Sequence, residues 1–231
     1  VLDVEHLHDV GMLQLGGGTV NNAYQSDPRY HSPSTEYWYG PAVSCSATAP
    51  VANVGGNLVL TGGGSLAVFS AATNVAGGTP EYGALVSVTN SIVIGSGSHL
   101  YPYSHPLNGG SVHVRARSVT VSAGGFINAT GKGFAGAPGA GYGFGPGGGG
   151  PYGNYSRGGG YGGMGGGGLS YVFGGPVYGC ASNPVEPGSG SGNYVGGAGG
   201  GLVTVRASEN MAVNGALCAD AGSSGGSGGG I

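Results

Sequence analysis

The stretch Gly110-Ser-Val-His-Val-Arg-Ala-Arg-Ser-Val-Thr-Val-Ser-Ala-Gly-Gly-Phe-Ile-Asn-Ala-Thr-Gly131 returns near the C-terminal end. There it reads Gly201-Leu-Val-Thr-Val-Arg-Ala-Ser-Glu-Asn-Met-Ala-Val-Asn-Gly-Ala-Leu-Cys-Ala-Asp-Ala-Gly222. Both follow one plan: Gly, a short alternating strand, Arg-Ala, a second short strand, a Gly turn, a third short strand, Gly. A unit of this kind buries little alone and must stack on copies of itself. Side chains of a strand alternate between two faces. The plan therefore points Val112 and Val114 inward with His113 outward, and Val119 and Val121 inward on the next face.

Earlier copies can be traced upstream. Val54-Gly-Gly-Asn-Leu-Val-Leu60 and Ser65-Leu-Ala-Val-Phe69 are split by Gly62-Gly-Gly64. Ala84-Leu-Val-Ser-Val-Thr89 and Ser91-Ile-Val-Ile94 are followed by Gly95-Ser-Gly97 and His99-Leu-Tyr101. The copies before and at Gly110 lie about 26 residues apart, the size of one coil of a stacked repeat. No segment carries a helical apolar period. The expected fold is all-β: a right-handed parallel β-helix, or solenoid, with a long Gly/Tyr-rich insertion and an N-terminal cap.

Composition narrows the function. The 231 residues include 58 glycines with no Gly-X-Y period, which excludes collagen. Only 6% are charged, the net charge is −3 and Lys132 is the sole lysine, so a phosphate-neutralising nucleic-acid surface is excluded. A solitary soluble domain keeps a far more charged surface. The composition suits a protein that is assembled, glycosylated or both. No run of about 18 apolar residues marks a membrane span. The step Gly228-Gly-Gly-Ile231 resembles the start of another coil. The expectation is a piece of a longer chain of like repeats, or a subunit whose last coil a neighbour completes.

Four segments follow. Residues 1–50 are rich in Tyr, Pro and Ser and read as a cap or docking segment, since an open end of stacked strands needs covering. Residues 51–131 carry repeats, 132–198 form the Gly/Tyr-rich insertion, and 199–231 carry a further repeat. The insertion reads either as flexible chain or as extended, polyproline-II-like packing of glycine with tyrosine as its only large apolar group.

The pattern of residues 54–131 and 199–231, Gly runs followed by alternating apolar strands and Ala-Gly steps, resembles that of Gly-rich repeat surface proteins of the parallel β-helix type. That resemblance implies large, secreted proteins with scaffolding or adhesive roles. A weaker resemblance is to phage tail-tip adhesins with polyglycine-rich segments.

Candidate sites are few. The sequons at Asn128 and Asn154 are candidate N-glycan acceptors. Cys45, Cys180 and Cys218 match no zinc spacing and permit one disulfide; Cys180 with Cys218 would tie the insertion to the last repeat, and other pairings stay open. Sequons, few lysines and possible disulfides favour an extracellular or cell-surface setting. Tyr142, Tyr152, Tyr155, Tyr161, Tyr171, Tyr178 and Tyr194 could fill a core, form a protein interface or contact sugars. Glu5, His6, His8 and Asp9 could offer metal ligands, but no third anchoring ligand is evident, and they read as a polar strand. No phosphate-loop motif occurs, and no cofactor is implied. Glu81, Glu209 and Asp220 stand without a recurring carboxylate partner, so no catalytic pair is assigned.

The sequence thus leads to a non-enzymatic extracellular structural protein, a filament, appendage or surface-layer subunit that builds homo-polymers. The alternative is an adhesin or glycan-binding tip that uses the Gly-rich insertion.

Overall fold

A computed structural model describes residues 6–16, 19–21, 51–72, 76–77, 79–80, 82–137, 139–152, 155–167, 173–180, 182–193, 196–222 and 225–231. Among them there is no helix. The strands in chain order are β1 (His6–Gly16), β2 (Thr19–Asn21), β3 (Val51–Thr61), β4 (Ser65–Phe69), β5 (Ala76–Gly77), β6 (Thr79–Pro80), β7 (Ala84–Val88), β8 (Ser91–Ile94), β9 (His99–Tyr103), β10 (Val112–Val121), β11 (Phe126–Asn128), β12 (Pro151–Tyr152), β13 (Tyr155–Ser156), β14 (Thr204–Val213) and β15 (Ala216–Cys218).

Two parallel sheets hold most of them. The larger runs β1-β3-β7-β10-β14, with β8 following β7 into the gap between β3 and β10. The smaller runs β15-β11-β9-β4-β2. The two stretches that opened the sequence analysis are neighbours in register, with Arg115 against Arg206 and Val121 against Val213. β12 with β13, and β5 with β6, form small antiparallel pairs.

The expected right-handed parallel β-helix, or solenoid, with an insertion is not the architecture found; the parallel strands lie in two sheets instead. The difference begins at the Arg-Ala step. It was read as the break between two short strands, yet β10 runs through it from Val112 to Val121 as one strand. The amides of Arg117 and Ser118 both donate to Asn90 O, at 2.9 and 3.0 Å, and the register shifts here. Such an irregularity bends a strand without ending it. The true corner is the Gly turn. Gly124 has φ +76°, and a Cβ on Gly125 would lie 2.6 Å from Ile94 O. Only glycine fits both positions.

The chain forms two compact units. The first comprises residues 1–102, 112–128 and 203–218, and the second 103–111, 129–202 and 219–231. Residues 6–16 and 19–21 of the N-terminal segment supply strands to the first unit. The rest of that segment, with Cys45 and Glu5, lies outside the described residues.

Period-two burial drives the first unit. Leu58, Leu60, Ile92, Ile94, Val119 and Val121 are all at most 1% exposed. Register places them in columns, Leu58–Ile92–Val119 and Leu60–Ile94–Val121. Leu100 and Ile127 make a similar column in the smaller sheet. Each such side chain removed from water contributes about 1.5–3 kcal/mol. His113, expected to face outward, is buried as well. The Tyr82 ring stands edge-on to it at 6.4 Å and also lies under Arg115, 5.6 Å from the guanidinium carbon.

The second unit has almost no strand, yet it is densely bonded. Pro187–Asn193 is buried throughout. Gly188 N–H donates to Gly200 O, Gly190 to Phe144 O, Ser191 to Gly197 O, Gly192 to Arg157 O and Asn193 to Gly141 O. Its carbonyls accept from Phe134, Ala137, Gly149 and Ser227. A strand in a sheet has two neighbours; this stretch has more, arranged around it. Among the described residues of this unit, Phe134, His105 and Leu202 are large buried side chains besides tyrosine, and Phe134 is one the sequence reading overlooked. Its ring lies against Gly109 and Gly145, where a Cβ would come within 2.4 and 2.6 Å.

Candidate functional site

The first candidate surface is the edge formed by β14 and β15. Each closes its sheet, and among the described residues nothing pairs with their far sides. Parallel register carries the buried columns onto these strands: Val114 to Val205, Val119 to Met211, Val121 to Val213 and Ile127 to Leu217. Burial is lost at this step. Val119 is 1% exposed and Met211 45%; Val121 is 0% exposed and Val213 40%. The apolar interior of the sheets is therefore open along β14. Arg117 Nε donates to Glu209 Oε1 at 2.7 Å beside it, with both side chains about half exposed. A pair so accessible to water adds little stability.

The second surface belongs to the glycine-rich unit. Tyr142 is 70% exposed and Tyr155 59%. Tyr142 lies against Gly150, where a Cβ would meet its ring at 2.7 Å, and the β12–β13 hairpin that follows carries Tyr155 opposite Tyr152. Phe173, Met164, Val177 and Val185 of the same unit are also exposed.

The tyrosines thus divide. Tyr161 and Tyr178 are structural: their rings meet edge-on at 5.0 Å, and Tyr178 Oη donates to Pro187 O. Burial raises the phenol pKa of both. Tyr171, Tyr194 and the side chain of Tyr152 lie outside the described residues. The sequence spacing does not separate the exposed pair from the internal one, because glycine-rich neighbours give no facing pattern.

The modification candidates are scattered. Asn128 is half-buried on β11, paired in register with Cys218, and Asn154 is outside the described residues. Cys180 and Cys218, offered above as one possible bridge, are both free thiols. Cys180 is exposed and lies 3.2 Å from Ser182 Oγ, a hydrogen bond that lowers its thiol pKa.

Among the described residues, chemistry-bearing groups do not converge. Glu209 is engaged by Arg117, and Asp220 contributes its backbone carbonyl to Gly131. Glu81 and the side chains of His6, His8 and Asp9 lie outside the described residues. Among the described residues no three His, Cys, Asp or Glu gather to hold a metal, and no helix is long and apolar enough to cross a membrane. Comparison with protein-family models, curated proteins and solved structures gives no match to the chain.

At its column Met211 stands where earlier strands carry Leu58, Ile92 and Val119, an apolar residue like the rest.

Proposed function

We propose that this chain is a non-enzymatic extracellular structural protein, the subunit of a filament, appendage or surface layer. One observation carries the reading: the apolar columns of the sheets run uncovered into β14, where Met211 and Val213 are 45% and 40% exposed. An open sheet edge of this length is a template for another chain, and an exposed apolar strip marks an interaction surface. The extracellular setting is supported by the single lysine, the low charge and the two sequons. Electron microscopy of native, undenatured material tests the proposal. Regular filaments or sheets are expected; isolated particles at all concentrations would overturn it.

A second reading has its own support. Tyr142, Tyr155 and Phe173 project from a unit held rigid by its backbone bonds. Rigid aromatic tips suit an adhesin or a glycan-binding tip. Under that reading, Tyr142→Ser with Tyr155→Ser abolishes attachment to a glycan array or host surface and leaves the fold intact. Unchanged attachment would remove these residues from it.

A further inference from the structure

The open edge at β14 and β15 has a counterpart. Among the described residues the same two sheets end on the opposite side in β1 and β2. The strands all run parallel, so the two ends have the same polarity. β1 has 11 residues against 10 in β14, and β2 and β15 have 3 each. In the sequence, glycine stands between the two strands at both ends, Gly16-Gly-Gly18 and Gly215. A second copy, displaced along the stacking direction without rotation of its strands, would present to β14 the edge that continues the sheet.

Register carries the match to single residues. Leu13 pairs with Leu58, Leu58 with Ile92, Ile92 with Val119 and Val119 with Met211. Leu15 leads likewise through Leu60, Ile94 and Val121 to Val213. Leu7 leads through Ala52, Val86 and Val114 to Val205. Each of these three columns begins and ends on an apolar residue. A seam between Val213 of one copy and Leu15 of the next has the composition of every seam inside the sheet.

From this we infer that β14 and β15 of one copy pair in parallel with β1 and β2 of a second copy, in the register Leu7 to Val205, Leu13 to Met211 and Leu15 to Val213. The inference rests on the structural-polymer reading above and specifies its joint. Because the joined edges differ, the interface is heterologous, and a displacement without rotation repeats it without closing. Each copy adds five strand spacings of the larger sheet, about 24 Å. The core that is open at β14 is closed by the next copy, and the two edges pair with each other instead of ending the sheet.

A cross-link tests the register. Gln14 and Ala212 share one column through Val59, Val93 and Thr120. Adjacent strands lie about 4.8 Å apart, inside the Cα separation of a disulfide, roughly 4.4–6.8 Å. In a full chain with Cys45, Cys180 and Cys218 changed to Ser, Gln14→Cys with Ala212→Cys is oxidised and run without reductant. The expected result is a ladder of multimers that collapses to monomer on reduction. Gln14→Cys with Ser208→Cys, four residues from Ala212 along β14, gives no ladder. Circular dichroism of both variants matching the parent shows that the fold is retained.

Dimers from Ala212→Cys alone would overturn the heterologous joint in favour of a two-fold one. Equal ladders from both pairs would overturn the register. Filaments in the microscope without cross-linking of the Gln14 and Ala212 pair would overturn this joint while leaving the structural polymer standing. A chain that stays monomeric at every concentration would overturn both.

Discussion

His105 shows how one side chain fixes a turn in a chain with few side chains to spare. Its Nδ1 accepts from the amides of Leu107 and Asn108, at 3.3 and 3.2 Å. The acceptor role places the proton on Nε2 and keeps the ring neutral. Burial lowers its pKa below the ordinary 6.5. The unfolded chain therefore takes up a proton more readily than the folded one as acid is added. The stability tied to this group is complete above pH 6.5 and is lost as pH falls toward the lowered value. Melting temperature measured against pH is expected to fall below that point. His105→Asn, whose Oδ1 can accept the same amides, is expected to flatten the fall.

Glycine positions in the second unit are not equivalent. A Cβ on Gly190 would lie 1.9 Å from Ala135 O, a backbone atom that cannot swing aside, whereas at Gly163 nothing lies within 4 Å. Gly190→Ala is expected to cost about 3 kcal/mol, as overpacking does. Gly163→Ala is expected to stay within about 0.5 kcal/mol, as ordinary surface changes do. Denaturant unfolding of the two variants checks the contrast. Nothing in the sequence separates these glycines, because the residue carries no mark of which neighbour its α-carbon faces.

At the scale of the strand, position along a column sets the cost of a deletion. Ile94 is wholly buried between neighbours on both sides, and Met211 has a neighbour on one. Ile94→Ala leaves a cavity and is expected to cost about 2–5 kcal/mol. Met211→Ala in the isolated chain is expected to cost under about 1 kcal/mol, since its methylenes are already half in water. Calorimetry of the two variants at low concentration decides whether the edge is as open as its exposure states. The strands were legible because apolar alternation repeats, and Arg115 and Arg206 could be aligned by eye before they were found side by side. The bulge at Arg117 and Ser118 was not. A residue pattern records which side chains face inward, while a doubled amide contact to Asn90 O is a backbone event. Reading it as the end of a strand led to the wrong architecture. His113 was misread for a related reason: Tyr82, which covers it, lies a whole repeat earlier.

At the scale of the molecule, the sequence announced a long glycine-rich stretch and left its structure open. The second unit gathers that stretch with residues 103–111 and 219–231. No apolar period links these pieces, because their cohesion comes from amides and carbonyls that every residue owns. The open edge was equally hidden. Val205, Met211 and Val213 look like any buried strand, and only the sheet order shows that the layer after them is missing from the chain's own described strands.

The bonds of Pro187–Asn193 have a mechanical consequence. A strand at the edge of a sheet peels away one bond at a time, so a small steady force is enough. The Pro187–Asn193 stretch is bonded to stretches around 134–137, 141–149, 157, 197–200 and 227 at once. A pull on either of its ends is shared among several lines of bonds, so it is expected to resist a force that would peel β14 from its single neighbour.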